Sequence, residues 1–158
     1  MADLPPPIPS APLWIGFAAL VPLLGAALVM LSHDPALAHA ALISFCIYAA
    51  AMLSFLGGVR WGLEIARAPE APNANRLIYA TAPSLGGWVL AFAVVNDPRV
   101  AGAAMIFSGL FAVQYVWDRA SAQERLAPGW YPMLREVLTG GAMLACILVM
   151  FAFSLRPV

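Results

Sequence analysis

The segment HAALISFCIYAAAMLSFLGGV, residues 39–59, is the strongest indication of the architecture of this chain. It has no Asp, Glu, Lys or Arg, and the ~30 Å hydrocarbon core of a bilayer takes about 20 apolar residues in helical form. Because a segment in lipid must satisfy its own backbone hydrogen bonds, we expect this stretch to be a transmembrane helix.

Four further apolar runs, of similar length, surround this stretch. The 63% hydrophobic content and the mean hydropathy of +0.85 lie far above the apolar fraction of about 45–50% typical of soluble domains. The sequence therefore predicts an all-α, polytopic membrane protein, a bundle of five transmembrane helices in a single domain over residues 12–155. Residues 1–11 are rich in proline and are expected to form a mobile segment. The predicted spans are about 12–31, 39–59, 77–95, 100–117 and 134–155.

The arginines predict the orientation of this bundle. With five spans, the N-terminus and the second and fourth loops lie on one side, and six of the eight cations fall there. Only Arg99 and Arg156 fall on the other side, so the excess of positive charge predicts an N-terminus inside and a C-terminus outside. The six arginines of the inner side are Arg60, Arg67, Arg76, Arg119, Arg125 and Arg135.

Ionisable and polar residues gather at the predicted cytoplasmic ends of three spans. Each of these spans carries a pair of such residues one helical turn apart, so the two members of a pair share a helix face. Polar groups at membrane depth are costly and mark either specific pairing or function. This candidate polar cluster consists of Arg60, Glu64, Gln114, Asp118, Arg135 and Thr139.

Three interpretations of the cluster remain open. The residues could pair with one another and join three helix ends as a structural clasp. The arginines could instead snorkel to the membrane interface. Alternatively, Arg60 and Arg135 could bind an anionic group such as a carboxylate, a phosphate or a lipid headgroup, which the helix start beside Arg135 would favour. Arg60, Glu64 and Arg67 also have the spacing of an ion-pair ladder along one helix face.

A second set of residues is expected to mediate packing and to lie at the interface. Small residues such as those in Gly58-xxx-Gly62 allow membrane helices to approach closely. Pro83 is expected to kink the third span, with Thr81 or Ser84 satisfying the freed carbonyls. The candidate packing and interface residues are Gly57, Gly58, Trp61, Gly62, Pro83, Ser84, Trp88, Trp130 and Tyr131.

Several motifs of the chain are characteristic of a known family: FLGGVRWG at 55–62, Pro83-Ser84 with Trp88, Asp118, Trp130-Tyr131, Leu134-Arg135 and Leu138-Thr139. In these residues the chain resembles the family built on domain of unknown function 3429, which includes bacterial inner-membrane proteins and a mitochondrial relative. The resemblance extends over nearly the whole chain. It implies a five-helix membrane fold, a multi-pass location in the bacterial inner membrane and no established activity.

Function is less sharply predicted than fold. We find no nucleophile elbow, phosphate loop or zinc motif in the sequence, so no cofactor is expected and an enzyme is the least favoured class. The net charge of zero gives no indication of a nucleic-acid partner. The favoured hypothesis is an accessory or assembly subunit that acts by binding within the membrane, with lipids and a larger complex or a homo-oligomer as partners. The alternatives are a small homo-oligomeric transporter or channel for protons or a small anion, and a binder of lipid headgroups or quinone.

Overall fold

Five helices make up the part of the chain that the structure describes. The computed structural model describes residues 6–97, 102–123 and 127–155. The predicted all-α fold is confirmed, with each predicted span overlapping one helix. The helices are α1 (Ser10–Val29), α2 (Pro35–Arg67), α3 (Ala74–Asn96), α4 (Ala103–Gln123) and α5 (Tyr131–Ser154).

Helix starts follow local sequence signals. The Asp34 carboxylate accepts hydrogen bonds from Ala36 N at 2.9 Å and Leu37 N at 3.4 Å, and Pro35 occupies the first turn of α2. Asn73 caps α3 in the same way, its side-chain oxygen accepting from the backbone amides of Asn75 and Arg76. Such side chains satisfy amides that have no partner inside the helix, so the loops before α2 and α3 can be short.

The observed bounds differ from the predicted ones mainly at α2. This helix has 33 residues and runs on from the predicted end at residue 59 to Arg67, since no proline interrupts the sequence before Pro69. Helix α1 begins at Ser10, so the last two residues of the predicted 1–11 segment are helical. Residues 1–5 and the predicted start of the fourth span at residue 100 lie outside the described residues.

Four of the five helices, α1, α2, α3 and α5, are long and apolar enough to cross a membrane. Helix α4 is as long as α1, but it is not among these four. Polar residues in its second half, including Gln114, Asp118 and Arg119, lower its mean hydropathy. Two of these side chains, Gln114 and Asp118, are buried against other helices, whereas Arg119 is exposed.

The helices pack in the neighbour order α1, α5, α4 and α2, which returns to α1, and α3 lies against α2 and α4. The interior is filled by aromatic and small apolar side chains, with Phe45 and Phe107 meeting edge to face at 6.3 Å. Tyr48 Oη donates a hydrogen bond to Ala19 O at 2.8 Å and thereby ties α2 to α1. Toward the connection between α4 and α5 the apolar interior gives way to buried polar side chains.

Candidate functional site

Asp118 is the centre of a charged cluster that joins three helices. Arg135 Nε, at the start of α5, donates to Asp118 Oδ2 at 2.5 Å. Arg60 Nη1, from α2, approaches Asp118 Oδ1 at 3.5 Å. Both carboxylate oxygens are therefore engaged, each by a different arginine. The structure thus brings the predicted residues Arg60, Asp118 and Arg135 together; we call this group the Asp118 clasp.

The two arginines of the clasp differ in environment. The Arg135 side chain is buried as deeply as the carboxylate, whereas that of Arg60 is 17% exposed. The Arg60 guanidinium also lies over the Trp117 ring, 5.6 Å from its centroid, a distance at which the ring face attracts a cation. Arg135 is thus the buried partner of Asp118, and Arg60 lies at the edge of the clasp.

Glu64 belongs to a separate ion-pair group at the end of α2. Its carboxylate accepts two hydrogen bonds from Arg67 at 3.1 Å, one from Asn73 N at 2.8 Å, and has Arg76 Nη1 at 3.8 Å. Of the predicted ion-pair ladder, Glu64 and Arg67 form an ion pair. Arg60 instead pairs with Asp118 of α4. Glu64 therefore fixes the loop between α2 and α3. The roles of Asn73 and Arg76 were not predicted, although an asparagine before a helix is a recognisable capping signal.

Gln114 and Thr139 form a polar layer one turn further into the bundle than the clasp. Gln114 precedes Asp118 by four residues on α4, and Thr139 follows Arg135 by four residues on α5. Since α4 and α5 pack together and Asp118 contacts Arg135, both residues lie at one level. Gln114 is 0% and Thr139 6% exposed, so the structure places both of these predicted residues inside the bundle. Among the described residues, the side-chain amide of Gln114 and the hydroxyl of Thr139 have no hydrogen-bond partner.

The glycines of α2 divide between two faces. A Cβ on Gly57 would lie 2.5 Å from Ala80 O, so α2 and α3 approach at that point more closely than any side chain allows. Gly87 of α3 likewise allows a close approach of the two helices, beside Ala50 and Leu53 of α2. A Cβ on Gly58 or Gly62 would meet nothing within 4 Å. Gly57 therefore packs against α3. Among the described residues, Gly58-xxx-Gly62 makes no close helix contact, because successive residues of a helix point about 100° apart and these glycines lie on another face.

Polar side chains cross between α2 and α3 near this approach. Trp61 Nε1 donates to Thr81 Oγ1 at 2.9 Å and is 3.2 Å from Leu77 O. Ser84 Oγ donates to Leu53 O of α2 at 3.3 Å. We expected Thr81 or Ser84 to donate a hydrogen bond to a carbonyl that Pro83 leaves without its amide donor. This expectation is wrong, because Thr81 donates to Leu77 O and Ser84 donates to Leu53 O of the neighbouring helix. Helix α3 runs through Pro83 without interruption.

An outward-facing groove of about 380 Å³ lies between α2 and α3. Ala51 and Ser54 form its α2 side, and Ser84 and Trp88 contribute from α3. Trp88 stacks on Phe92 with ring centroids 6.1 Å apart. Both rings are more than half exposed. Trp88, which the sequence analysis placed among the packing and interface residues, therefore lies on the outer surface of the bundle.

The remaining two predicted interface residues open α5. Trp130 is the residue before the helix and Tyr131 its first residue, with ring centroids 6.3 Å apart. Both are half-buried. Their position beside Arg135 places an aromatic pair at the end of the bundle where the clasp lies.

Comparison with known proteins adds family evidence to this geometry. A family model described as "Protein of unknown function (DUF3429)" matches residues 8–151. The chain is 31% identical over 153 residues to Transmembrane protein 69 of Xenopus tropicalis, covering 94% of this chain and 57% of the relative. The chain thus spans somewhat more than half the length of that relative. No solved structure matches it significantly.

Proposed function

This chain belongs to the DUF3429 family of multi-pass membrane proteins, and on that premise we propose that it is a non-enzymatic accessory or assembly subunit of a membrane complex. In this proposal it acts by binding a transmembrane helix of a partner protein. The partner helix would lie against the outer face of α2, along the groove between α2 and α3.

The proposal places all five helices across a bacterial inner membrane, with the N-terminus in the cytoplasm. Helix α4 would cross with its polar residues turned inward, where the clasp neutralises part of their charge. Pro6 lies beside Gly129, at 3.3 Å from the position of a Cβ there, which supports a common side for the N-terminal segment and the loop between α4 and α5. The arginine distribution supports the cytoplasm as that side.

The observation that carries the proposal is a row of small residues on the outer face of α2. Ala51, Ser54, Gly58 and Gly62 follow one another at intervals of three or four residues, so they share a face, and all four are exposed. Gly58 and Gly62 have open space where a side chain would lie. In membranes, where lipid tails and leucine are equally apolar, helices associate through rows of this kind because the backbones can approach closely.

The neighbouring groove favours a helix as the occupant of this face. It continues the small-residue row of α2 through Ala51 and Ser54 and is bordered on α3 by Trp88 and Phe92. Large exposed aromatic side chains beside a close-approach row offer a second helix both contact area and a fixed position. We therefore expect a partner helix to pack its own small residues against Gly58 and Gly62.

The test is the native mass of the protein in a mild detergent, with co-migrating proteins identified, for the unmodified chain and for Gly58→Leu and Gly62→Leu. The unmodified chain should migrate with a partner, and each substitution should release it, because the added side chain fills the space that the partner backbone needs. Gly140→Leu provides the matched control, since Gly140 is also an exposed helical glycine with open space around it.

The control should retain the partner and all three variants should keep their helical content. Retention of the partner by both α2 variants would refute the docking face. If the protein migrates as a discrete homo-oligomer without another protein, the accessory role is refuted. That result would favour the alternative, a homo-oligomeric transporter.

A further inference from the structure

Two neighbouring cavities lie at the end of the bundle opposite the Asp118 clasp. Their volumes are about 370 and 180 Å³, and Met30, Pro35 and Ala152 line both of them. They lie where α1 and α5 end and where α2 begins. Helices α2 and α5 both pack on α1 but not closely on each other, which leaves this space open. His33 lines the larger cavity and His39 the smaller, so we call the two together the histidine cleft.

The histidine cleft has an apolar floor and a polar rim. Met30, Leu42 and Ala152 line it and are buried, so its deep part is apolar. The side chains of His33 and His39 are exposed. Within the part of the chain that the structure describes, neither imidazole has a hydrogen-bond or ion-pair partner. Both imidazoles are therefore open to a ligand that arrives from outside the bundle.

The cleft lies at the boundary between the apolar spans and their polar connections. His39 begins the second predicted span, and Leu155, which lines the larger cavity, ends the fifth. Leu42 lies almost one helical turn further into the second span. A molecule in the cleft would thus have one part among apolar side chains and another at the membrane interface, which is the position that an amphipathic ligand prefers.

We propose that the histidine cleft binds a quinone or the corresponding quinol. The ring would lie over the apolar floor, and His33 and His39 would form hydrogen bonds with its oxygens. A neutral imidazole has one donor and one acceptor, so it can donate to the carbonyl of a quinone or accept from the hydroxyl of a quinol. The larger cavity has the size of a small-molecule site, about 300–1,000 Å³. The site goes beyond the proposed function, because it lies away from the groove between α2 and α3 and needs no partner protein.

The composition of the cleft favours a neutral ring over other membrane ligands. None of the described residues that line it is an arginine, and the chain has no lysine. The carboxylate of Asp34, between the cleft residues His33 and Pro35, repels a phospholipid headgroup or a fatty acid. The described residues contain no group of three or more side chains that could hold a metal ion. Two imidazoles and the half-buried ring of Phe153 suit a flat ring with two oxygens better than an alcohol with one.

The test is the thermal unfolding of the purified, delipidated protein against increasing short-tailed ubiquinone at constant detergent. We expect the melting temperature to rise and to saturate, because a ligand that binds the folded protein stabilises it. An alkyl alcohol of the same tail length should give no saturable rise. His33→Ala and His39→Ala each remove one imidazole at an exposed position and leave the floor of the cleft open. Each should raise the quinone midpoint by about two- to tenfold, as expected for the loss of one hydrogen bond.

Two further variants are compared with the histidine variants. Ala152→Leu places a larger side chain in both cavities and should abolish the quinone response while the helical content stays unchanged. Asn96→Ala is the matched control, since Asn96 is an exposed polar residue at the same end of the bundle but on α3. It should leave the midpoint unchanged.

Three results would overturn the proposal. These are the absence of a saturable response in the unmodified protein, an equal response to the alkyl alcohol, and unchanged quinone binding by the double variant His33→Ala/His39→Ala. Gly58→Leu should retain the quinone response, so failure of this site and failure of the docking face give different results.

Discussion

Arg135 and Asp118 form a buried ion pair in which Arg135 Nε donates to Asp118 Oδ2 at 2.5 Å and both side chains are 4% exposed. The pair joins the end of α4 to the start of α5, and Arg60 extends it to α2. A carboxylate and a guanidinium so far from water stabilise each other only while both are present, because either one alone would be a buried charge without a partner.

Replacement of Asp118 by asparagine should therefore destabilise the bundle. Asp118→Asn leaves two arginines without their carboxylate, and removal of one member of a buried pair costs about 3–5 kcal/mol. Thermal unfolding followed by circular dichroism in detergent would measure the loss. Glu136→Gln is the control, since Glu136 lies exposed on the same helix as Arg135, and it should change little. An unchanged melting temperature for Asp118→Asn would disprove a stabilising clasp.

The two arginines should contribute unequally. Arg135→Met should cost more stability than Arg60→Met, because Arg135 is closer to Asp118 and less exposed. Arg60 retains some contact with solvent, which screens its charge and weakens its contribution. The same unfolding measurement on both variants tests the order. Equal losses, or a larger loss for Arg60→Met, would contradict the assignment of Arg135 as the buried partner.

Adjacent glycines of α2 should respond in opposite ways to alanine. Gly57→Ala would place a methyl group 2.5 Å from Ala80 O, which forces α2 and α3 apart. Gly58→Ala meets nothing within 4 Å and replaces a poor helix former by a good one, a gain of up to about 1 kcal/mol. We expect the melting temperature to fall for Gly57→Ala and to stay or rise for Gly58→Ala. The reverse order would mean that the register of α2 against α3 is wrong.

Trp61 and Thr81 should be energetically coupled. Trp61 Nε1 donates to Thr81 Oγ1 at 2.9 Å, a hydrogen bond worth about 0.5–1.5 kcal/mol. Trp61→Phe and Thr81→Val each remove it, so the double variant should lose less stability than the sum of the single losses. A double-mutant cycle in chemical denaturant gives the coupling directly. Strictly additive losses would show that the hydrogen bond does not contribute.

The predicted orientation can be tested with single cysteines. Both native cysteines, Cys46 and Cys146, are fully buried and should resist a thiol reagent in the folded protein. Ala71→Cys, in the loop between α2 and α3, should label from the cytoplasmic side alone, and His33→Cys, between α1 and α2, from the opposite side alone. Labelling with the sides exchanged would invert the topology, and labelling of both cysteines from one side would contradict a membrane-crossing α2.

Most of the fold was predictable because helices in membranes follow simple rules. A run such as residues 39–59 needs about 20 apolar residues and internal hydrogen bonds, so composition and length predict the element. The pairing of Gln114 with Asp118, and of Arg135 with Thr139, on shared faces follows from the helical repeat. The extension of α2 to Arg67 was not predicted. Hydropathy shows where the apolar run ends, at residue 59, but a helix can continue beyond the apolar run.

Hydropathy and helical spacing were enough to predict five helices, the end of the bundle at which the charges gather and the residues that gather there. The packing of the helices was needed to show which charges pair: Asp118 with Arg135 and Arg60, and Glu64 with Arg67 and Arg76. It also decided that Gly57 packs inward while Gly58 faces outward. The physical reason is that hydrophobicity and helical period act along one segment, whereas an ion pair or a close approach depends on how neighbouring helices are rotated and shifted against each other.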